Sequence, residues 1–492
     1  MGGACKMWGV TKGDKLTFPF PSSMNPYAGL VSCLHASWLT GKTRPMEYRV
    51  SQLEALGHFL DEKHQPILDA LALDMHKPQF EAKLSETVLC KNELNYTLNN
   101  LRSWMKDEHV DKNMVTQLDM AFIRKDPYGV VLIIGPWNYP VNLLLVPLIG
   151  AIAAGNCVIL KPSEISSCVE RLMAEMLPSY LDRDCFAVVT GGIEKTTKLL
   201  ENRFDYIFFT GSTSIGRIVM EAAAEHLTPL TLELGGKNPC YVADDCDLQS
   251  AANRLVWGRF FNAGQTCIAP DYVLCTLEMQ EKLLPALHRA IADFYGANPQ
   301  ESPDFARIIS DKQFQRVQSL MDSGHVAIGG QTDEKERYIA PTVLVDVPMS
   351  APIMQEEIFG PILPIVTVAN LEEAIDLING QKQPLAVYVF SSNKKVVKQV
   401  LEQTSSGGFA SNDTIIQTTL ITLPFGGIGP SGLGKYHGKF SFDTFSHHRT
   451  CLMHRMDQEK LNTLCYPPYA QHNPQSLLST SEIRCKSTCN LL

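Results

Sequence analysis

The stretch Val130–Leu160 is the most apolar part of the chain, and it leaves the fold few options. Its length would suit a bilayer-spanning helix. Against that stand Pro136, Asn138, Pro140, Asn142, Pro147 and Asn156, which would bring polar side chains and broken backbone hydrogen bonding into hydrocarbon. A different parse uses every residue: a buried strand at Val130–Ile134, a polar loop at Gly135–Pro140, a helix ending near Gly155 and a second strand at Cys157–Leu160. Strand, helix and strand in this order make a crossover unit, which requires a parallel sheet with covered faces. The expected class is therefore α/β.

The alternation continues. Tyr206–Phe209 is a short apolar strand, followed by Thr210-Gly-Ser-Thr-Ser-Ile-Gly216 and an apolar helix through Ala224. Leu230–Leu234 is extended and ends at Gly235-Gly236; then come a strand at Tyr272–Cys275, a helix near Gln280–Phe294 and strand–helix alternation to about Gln403. Upstream, Val50, Leu53, Leu56, Leu60, Ile67 and Leu71 recur at helical spacing, with Pro66 dividing the run. Leu94, Leu98, Leu101 and Met105 form a second stripe. Both stripes are core faces and carry no chemistry. Residues 114–126 read as extended and lead into a turn at Pro127-Tyr128-Gly129.

A chain of 492 residues has room for two or three domains. Its 45% hydrophobic and 19% charged residues are those of a soluble globular protein. A net charge of −9 argues against nucleic acid as the main partner. The 14 cysteines are scattered without a Cys-x-x-Cys pair, so no metal site is expected and the thiols read as reduced. Residues 1–24 form a loose leader rich in Gly, Pro and Ser, with no secretory signal. Lys6 stands where a myristoylation signal wants Ser or Thr. Beyond Met456 the composition turns to Pro, Ser, Asn and Gln, an extended tail.

Candidate chemistry centres on Phe261-Asn-Ala-Gly-Gln-Thr-Cys267-Ile-Ala-Pro-Asp271, a turn that presents one thiol. Such a thiol becomes a nucleophile when its pKa falls below about 8.5; otherwise it is an inert core cysteine. The strand–turn–helix at 206–224 offers free N–H groups at a helix N-terminus to a phosphate. Its glycines match neither the triphosphate loop, since Arg217-Ile218 replaces Lys-Ser/Thr, nor Gly-x-Gly-x-x-Gly. Glu233 ends an apolar strand, where its pKa is pushed upward as a general base requires, unless it simply pairs with Lys237 or another cation. Asn138, in the loop after a strand, can offer an amide N–H to a developing oxyanion or be a plain turn residue.

Seven further segments stand in order: Gly135-Pro-Trp-Asn-Tyr-Pro140, Leu160-Lys-Pro-Ser-Glu164, Phe209–Gly216, Leu232-Glu-Leu-Gly-Gly-Lys-Asn238, Gly264-Gln-Thr-Cys267, Glu356-Glu-Ile-Phe-Gly-Pro361 and Leu423-Pro-Phe-Gly-Gly427. The set resembles the aldehyde dehydrogenase superfamily, and Tyr436–His447 resembles its class 3, closest to the lipid-anchored B branch. The resemblance runs from about Met24 to Pro468. It implies an aldehyde dehydrogenase fold with a Rossmann-like cofactor domain (25–106 and 128–233), an α/β catalytic domain (234–435) and a bridging, oligomerising element (107–127 and 436–455), ahead of a tail at 456–492.

The resemblance makes Cys267 the nucleophile, Asn138 with the Cys267 N–H the oxyanion donors, and Glu233 the base that activates water on a thioester. Lys161, Glu164 and Glu357 would serve the cofactor, NAD or NADP, with Phe359 beside the nicotinamide and Gly211, Ser212, Thr213, Ser214, Ile215 and Gly216 at the pyrophosphate. The implied reaction is NAD(P)-dependent oxidation of medium- and long-chain, lipid-derived aldehydes to carboxylic acids by a homodimer.

The chain ends Arg484-Cys-Lys-Ser-Thr-Cys489-Asn-Leu-Leu492. Cys489 heads a C-a-a-X box whose terminal Leu favours geranylgeranyl, and Cys485 between two basic residues is a candidate for palmitoylation. The expected place is the cytoplasmic face of a membrane, the plasma membrane first and lipid droplets or another internal membrane next, with a cytosolic fraction. Two rival readings stand: a thiol acyltransferase or hydrolase, which needs a His beside Cys267 and no nicotinamide, and a membrane-tethered relative that has lost turnover.

Overall fold

Val130–Ile134 is a run of β-branched and leucine residues buried on both faces, as the interior of a parallel sheet demands. The computed structural model describes residues 25–113, 116–458 and 466–468. In it this strand is followed by the helix Asn142–Ala154 and the strand Cys157–Lys161, paired parallel in register Val130↔Cys157 to Ile134↔Lys161. The helix is buried around nearly its whole circumference, against the helices Met46–Glu62, Leu89–Trp104 and Lys439–Thr444. That environment explains an apolar run with no membrane face. Among the described residues, no helix is long and apolar enough to cross a membrane.

Around that unit lies a six-stranded sheet in the order 432–433, 230–233, 206–210, 130–134, 157–161, 186–188. All neighbours are parallel except Gly432–Leu433, which runs antiparallel to Leu230–Glu233. A seven-stranded sheet follows in the order 325–328, 342–345, 362–367, 272–275, 239–242, 386–390, 408–411. Here only the pair 325–328 and 342–345 is antiparallel. Each sheet has its own apolar core. A third, three-stranded sheet joins Glu108–His109, Met120–Pro127 and Ser446–Met453, all antiparallel.

The Leu stripes are core faces as expected: Leu53, Leu56, Leu60, Ile67, Leu71, Leu94 and Leu101 are buried. The first run is two helices, Met46–Glu62 and His64–Met75. They part at Lys63, and Pro66 sits within the first turn of the second, where its missing N–H has no helical carbonyl to serve. The reading of 114–126 as extended needs correction. Residues 116–119 turn, with Asn113 Oδ1 accepting from the Thr116 N–H and hydroxyl, and the strand starts only at Met120. An Asn side chain captured the backbone before a ladder could. Residues 1–24, the tail after Pro468, and with it Cys485 and Cys489, lie outside the described residues.

Candidate active site

The helix Leu248–Phe260 leads into backbone of the opposite hand: φ is +55° at Asn262, +52° at Ala263 and +75° at Gly264. Such a run is strained for residues with a Cβ and persists only where neighbours over-determine it. At Gly264 a Cβ would stand 2.2 Å from the Gly360 carbonyl oxygen, so only glycine fits.

The clamps are side chains. Asn262 donates its N–H to Glu81 (3.0 Å) and its amide to the Asn138 carbonyl (2.9 Å). Gln265 donates to the carbonyls of Asn262 (3.0 Å) and Arg307 (3.1 Å) and accepts from the Ile309 N–H (3.0 Å). Beyond the thiol, Asn238 donates to the carbonyls of Cys267 (2.7 Å) and Ala269 (3.0 Å), and the Tyr388 hydroxyl to that of Ile268 (2.6 Å). Cys267 is thus held from both sides with its half-buried side chain facing a cavity.

The thiol departs from the expected lowered pKa. Burial, with the charges of Glu357 and Glu233 added, pushes it up to about 12. Glu233, at the end of the strand Leu230–Glu233, is also pushed well above the usual carboxylate range, by burial. Among the described residues neither of its oxygens has a hydrogen-bond partner. Nor does it pair with Lys237, whose ammonium is on Asp271 at 2.6 Å. The resting sulfur therefore holds its proton, and a nearby buried carboxyl has no protein group to satisfy it.

Asn138 is buried, and its amide donates to the Gln265 carbonyl at 3.0 Å, which sets it against the thiol turn. Beneath this loop lies a fully buried ion pair. Lys77 Nζ is 2.8 Å from Glu86, 3.9 Å from the centre of the Tyr139 ring and 3.5 Å from the Asn138 carbonyl. The other Glu86 oxygen accepts the N–H groups of Val141 (3.1 Å) and Asn142 (2.8 Å) at the start of the central helix. Tyr139 in turn shares a 2.6 Å hydrogen bond with Thr266, next to the thiol.

The sulfur opens onto a cavity enclosing about 730 Å³, its open mouth included. Leu89, Leu143, Val146, Phe261, Ile415 and Phe425 give it an apolar wall. His437 lines it too, but its ring stacks on Phe425 with an interplanar angle of 17°, and burial lowers its pKa to about 4. No hydrogen bond joins an imidazole to Cys267 among the described residues, so the partner required by an acyltransferase or hydrolase is not in place.

The remaining site residues surround the approach to Glu233. The Gly211–Gly216 turn leaves the next strand, Tyr206–Thr210, and its Gly211 N–H donates to the Glu233 carbonyl at 3.0 Å. Ser212 caps the helix Thr213–Glu225 by accepting from the Ile215 N–H, and Gly216 begins to bury that helix. Ser214 and Ile215 are exposed and Thr213 half-buried, leaving first-turn N–H groups open to an anion. Lys161 Nζ is held by Glu164 (2.9 Å) and the Pro162 carbonyl (2.8 Å).

Phe359, at φ +50°, packs edge-on against Trp137 at 5.2 Å. Burial raises Glu357 to about 8, and one of its oxygens has no partner among the described residues. A Cβ on Gly235 would meet that carboxylate at 2.1 Å. Buried carboxyl oxygens without partners on Glu233 and Glu357, an open helix N-terminus and a backbone stripped of side chains fit a ligand with ribose hydroxyls and phosphates, as a nicotinamide dinucleotide has.

Sequence reasoning missed the support beneath these groups: Glu81, Lys77 with Glu86, and the roles of Asn238 and Gln265. Asn238 and Gln265 lay inside quoted segments, but a carbonyl partner leaves no trace in sequence. Lys77 and Glu86 read as ordinary charged residues.

A family model described as "Aldehyde dehydrogenase family" matches residues 37–451. Aldehyde dehydrogenase family 3 member B1 of Rattus norvegicus is 61% identical over 469 residues, 95% of this chain and 100% of the relative. The solved substrate-bound state of Staphylococcus aureus AldH superposes with a TM-score of 0.91 at 40% identity, covering 93% of this chain and 100% of that one. The Mycobacterium tuberculosis aldehyde dehydrogenase complexed with NAD+ superposes with a TM-score of 0.78 at 27% identity, over 86% and 89% of the two chains.

Proposed function

The chain belongs to the aldehyde dehydrogenase family, class 3, and from that premise we propose that it oxidises medium- and long-chain, lipid-derived aldehydes to carboxylic acids through covalent catalysis at Cys267. The observation that supports this most is the pairing of one clamped thiol with a large cavity walled by carbon. An alkyl chain gains about 0.8 kcal/mol for each CH₂ it buries there, whereas a short aldehyde gains little.

In this reading the Cys267 sulfur adds to the aldehyde carbon as its proton leaves through water to bulk solvent. The new oxyanion accepts hydrogen bonds from the Cys267 N–H and from the Asn138 amide, which is held in place by its bond to the Gln265 carbonyl. A bound NAD or NADP supplies the hydride acceptor. Lys161, Glu164, Glu357, Phe359 and the Gly211–Gly216 turn would hold it. With the carbon at the acid level as a thioester, Glu233 takes a proton from water, the water oxygen bonds to the carbon, and the sulfur leaves to be reprotonated.

Residues 25–106 with 128–233 hold the dinucleotide, 234–435 supply the thiol, and 107–127 with 436–455 bridge two copies in a homodimer. Geranylgeranyl on Cys489, with palmitoyl on Cys485, keeps the enzyme on the cytoplasmic face of a membrane. A saturated aldehyde series from six to sixteen carbons, assayed by reduced nicotinamide absorbance with each dinucleotide, tests the reading. Here kcat/KM rises with length; a flat or falling series refutes the chain-length assignment.

A further inference from the structure

From Thr414 to Gly434 the chain runs 21 residues without Asp, Glu, Lys, Arg or His. Thr418, Ile421 and Phe425 of this segment face inward and wall the Cys267 cavity. Others face outward: Ile416, Leu420 and Leu423 are 44%, 52% and 48% exposed. Three of its five hydroxyls are turned back on the segment itself. Thr418 and Thr419 donate their hydroxyls to the carbonyls of Ile415 and Ile416, each at 2.8 Å, and Ser431 donates to that of Ile428 at 2.9 Å. The N–H groups of Leu420 and Leu423 donate to the carbonyls of Gln417 and Leu420. A charge-free face with internally satisfied hydroxyls loses little on leaving water and gains from apolar contact.

We propose that Thr414–Phe425 docks on the surface of a lipid bilayer and sets the mouth of the aldehyde cavity against it, so that chains pass from lipid to Cys267 without crossing water. The inference rests on the reading of that cavity as the aldehyde site. A lipid surface is favoured by how the chain ends. Pro468 is the last described residue, and Cys489 of the C-a-a-X box lies 21 residues further on. Whatever their arrangement, those residues reach at most about 75 Å. A tether of that reach sets a distance and no orientation; orientation has to come from the folded surface, and the uncharged face at the cavity mouth supplies it.

The test uses the full chain carrying Cys485→Ser and Cys489→Ser, mixed with vesicles of pure phosphatidylcholine, with and without Ile416→Asp and Leu420→Asp. Both positions are exposed and outside the cavity wall, so folding is retained. The parent sediments with vesicles, and the double aspartate variant binds at least about tenfold more weakly. For vesicle-borne hexadecanal kcat/KM falls by a similar factor, while hexanal oxidation without vesicles changes less than about twofold. Equal sedimentation of parent and variant overturns the proposal. So does a change in molar mass by light scattering without lipid, which assigns the face to a second copy of the chain. Failure of both proteins to oxidise hexanal would instead refute the reading of Cys267, while the sedimentation difference still reports on docking.

Discussion

Replacing Lys77 by Met should loosen the oxyanion loop from below. The ammonium is fully buried, 2.8 Å from Glu86, and its loss leaves a buried carboxylate held, among the described residues, by the N–H groups of Val141 and Asn142. Removing one partner of a buried pair costs about 3–5 kcal/mol. The helix N-terminus returns up to about 1 kcal/mol of this, leaving a net loss of about 2–4 kcal/mol. Adding Glu86→Gln, which still accepts from the two N–H groups, removes the stranded charge and should restore stability to within about 1–2 kcal/mol of the parent. Hydrogen exchange at the Val141 and Asn142 amides reads the effect locally: protection falls steeply in Lys77→Met and returns in the double variant. Because Asn138 and Tyr139 sit on this pair, kcat for hexanal should fall and recover in step with protection. Additive effects of the two substitutions, or unchanged protection in Lys77→Met, would show that the pair does not carry the loop.

Cys267→Ala should abolish aldehyde oxidation while leaving dinucleotide affinity, read by fluorescence quenching, nearly intact. Glu233→Gln should give a rapid burst of reduced nicotinamide followed by slow turnover; loss of the burst itself would place Glu233 in the first step. The pH sign follows from burial. Cys267, pushed up to about 12, and Glu233, raised well above the carboxylate range, both act deprotonated, so kcat rises with pH from neutral into the alkaline range, and part of that rise disappears in Glu233→Gln. Cys489→Ser should lower the membrane-bound fraction of the protein in cells to the weaker binding of the folded surface, with unchanged hexanal activity, and Cys485→Ser should lower it less; a Cys489→Ser protein whose membrane-bound fraction is unchanged assigns the anchor elsewhere.

The elements legible in sequence were those whose pattern is local. Val130–Leu160 could be parsed because its prolines and asparagines mark where one hydrogen-bonding scheme ends and another begins. The turn at 116–119 escaped because a single Asn113 side chain decided it. At the site, the Cys267 and Glu233 segments could be read, but the rise of the thiol pKa could not. That rise comes first from burial and then from Glu357, brought near by folding from ninety residues downstream. The Asn238 clamp ties the thiol turn, at Cys267 and Ala269, to the strand at Ala386 through one side chain, so composition and spacing carry no hint of it.

The short strand Gly432–Leu433 has a mechanical consequence. It pairs with Leu232 and Glu233, and one residue earlier the Ser431 carbonyl accepts the Leu234 N–H at 3.1 Å. The segment that walls the cavity is therefore stitched, a few residues on, to the backbone that carries Glu233, the carboxyl proposed to activate water. Engineers who enlarge or reshape the cavity through Ile421 or Phe425 will be pulling on the far end of the same thread. Gains in substrate scope made there should arrive coupled to changes in the hydrolytic step, whereas changes at Val146, on the central helix, leave that seam untouched.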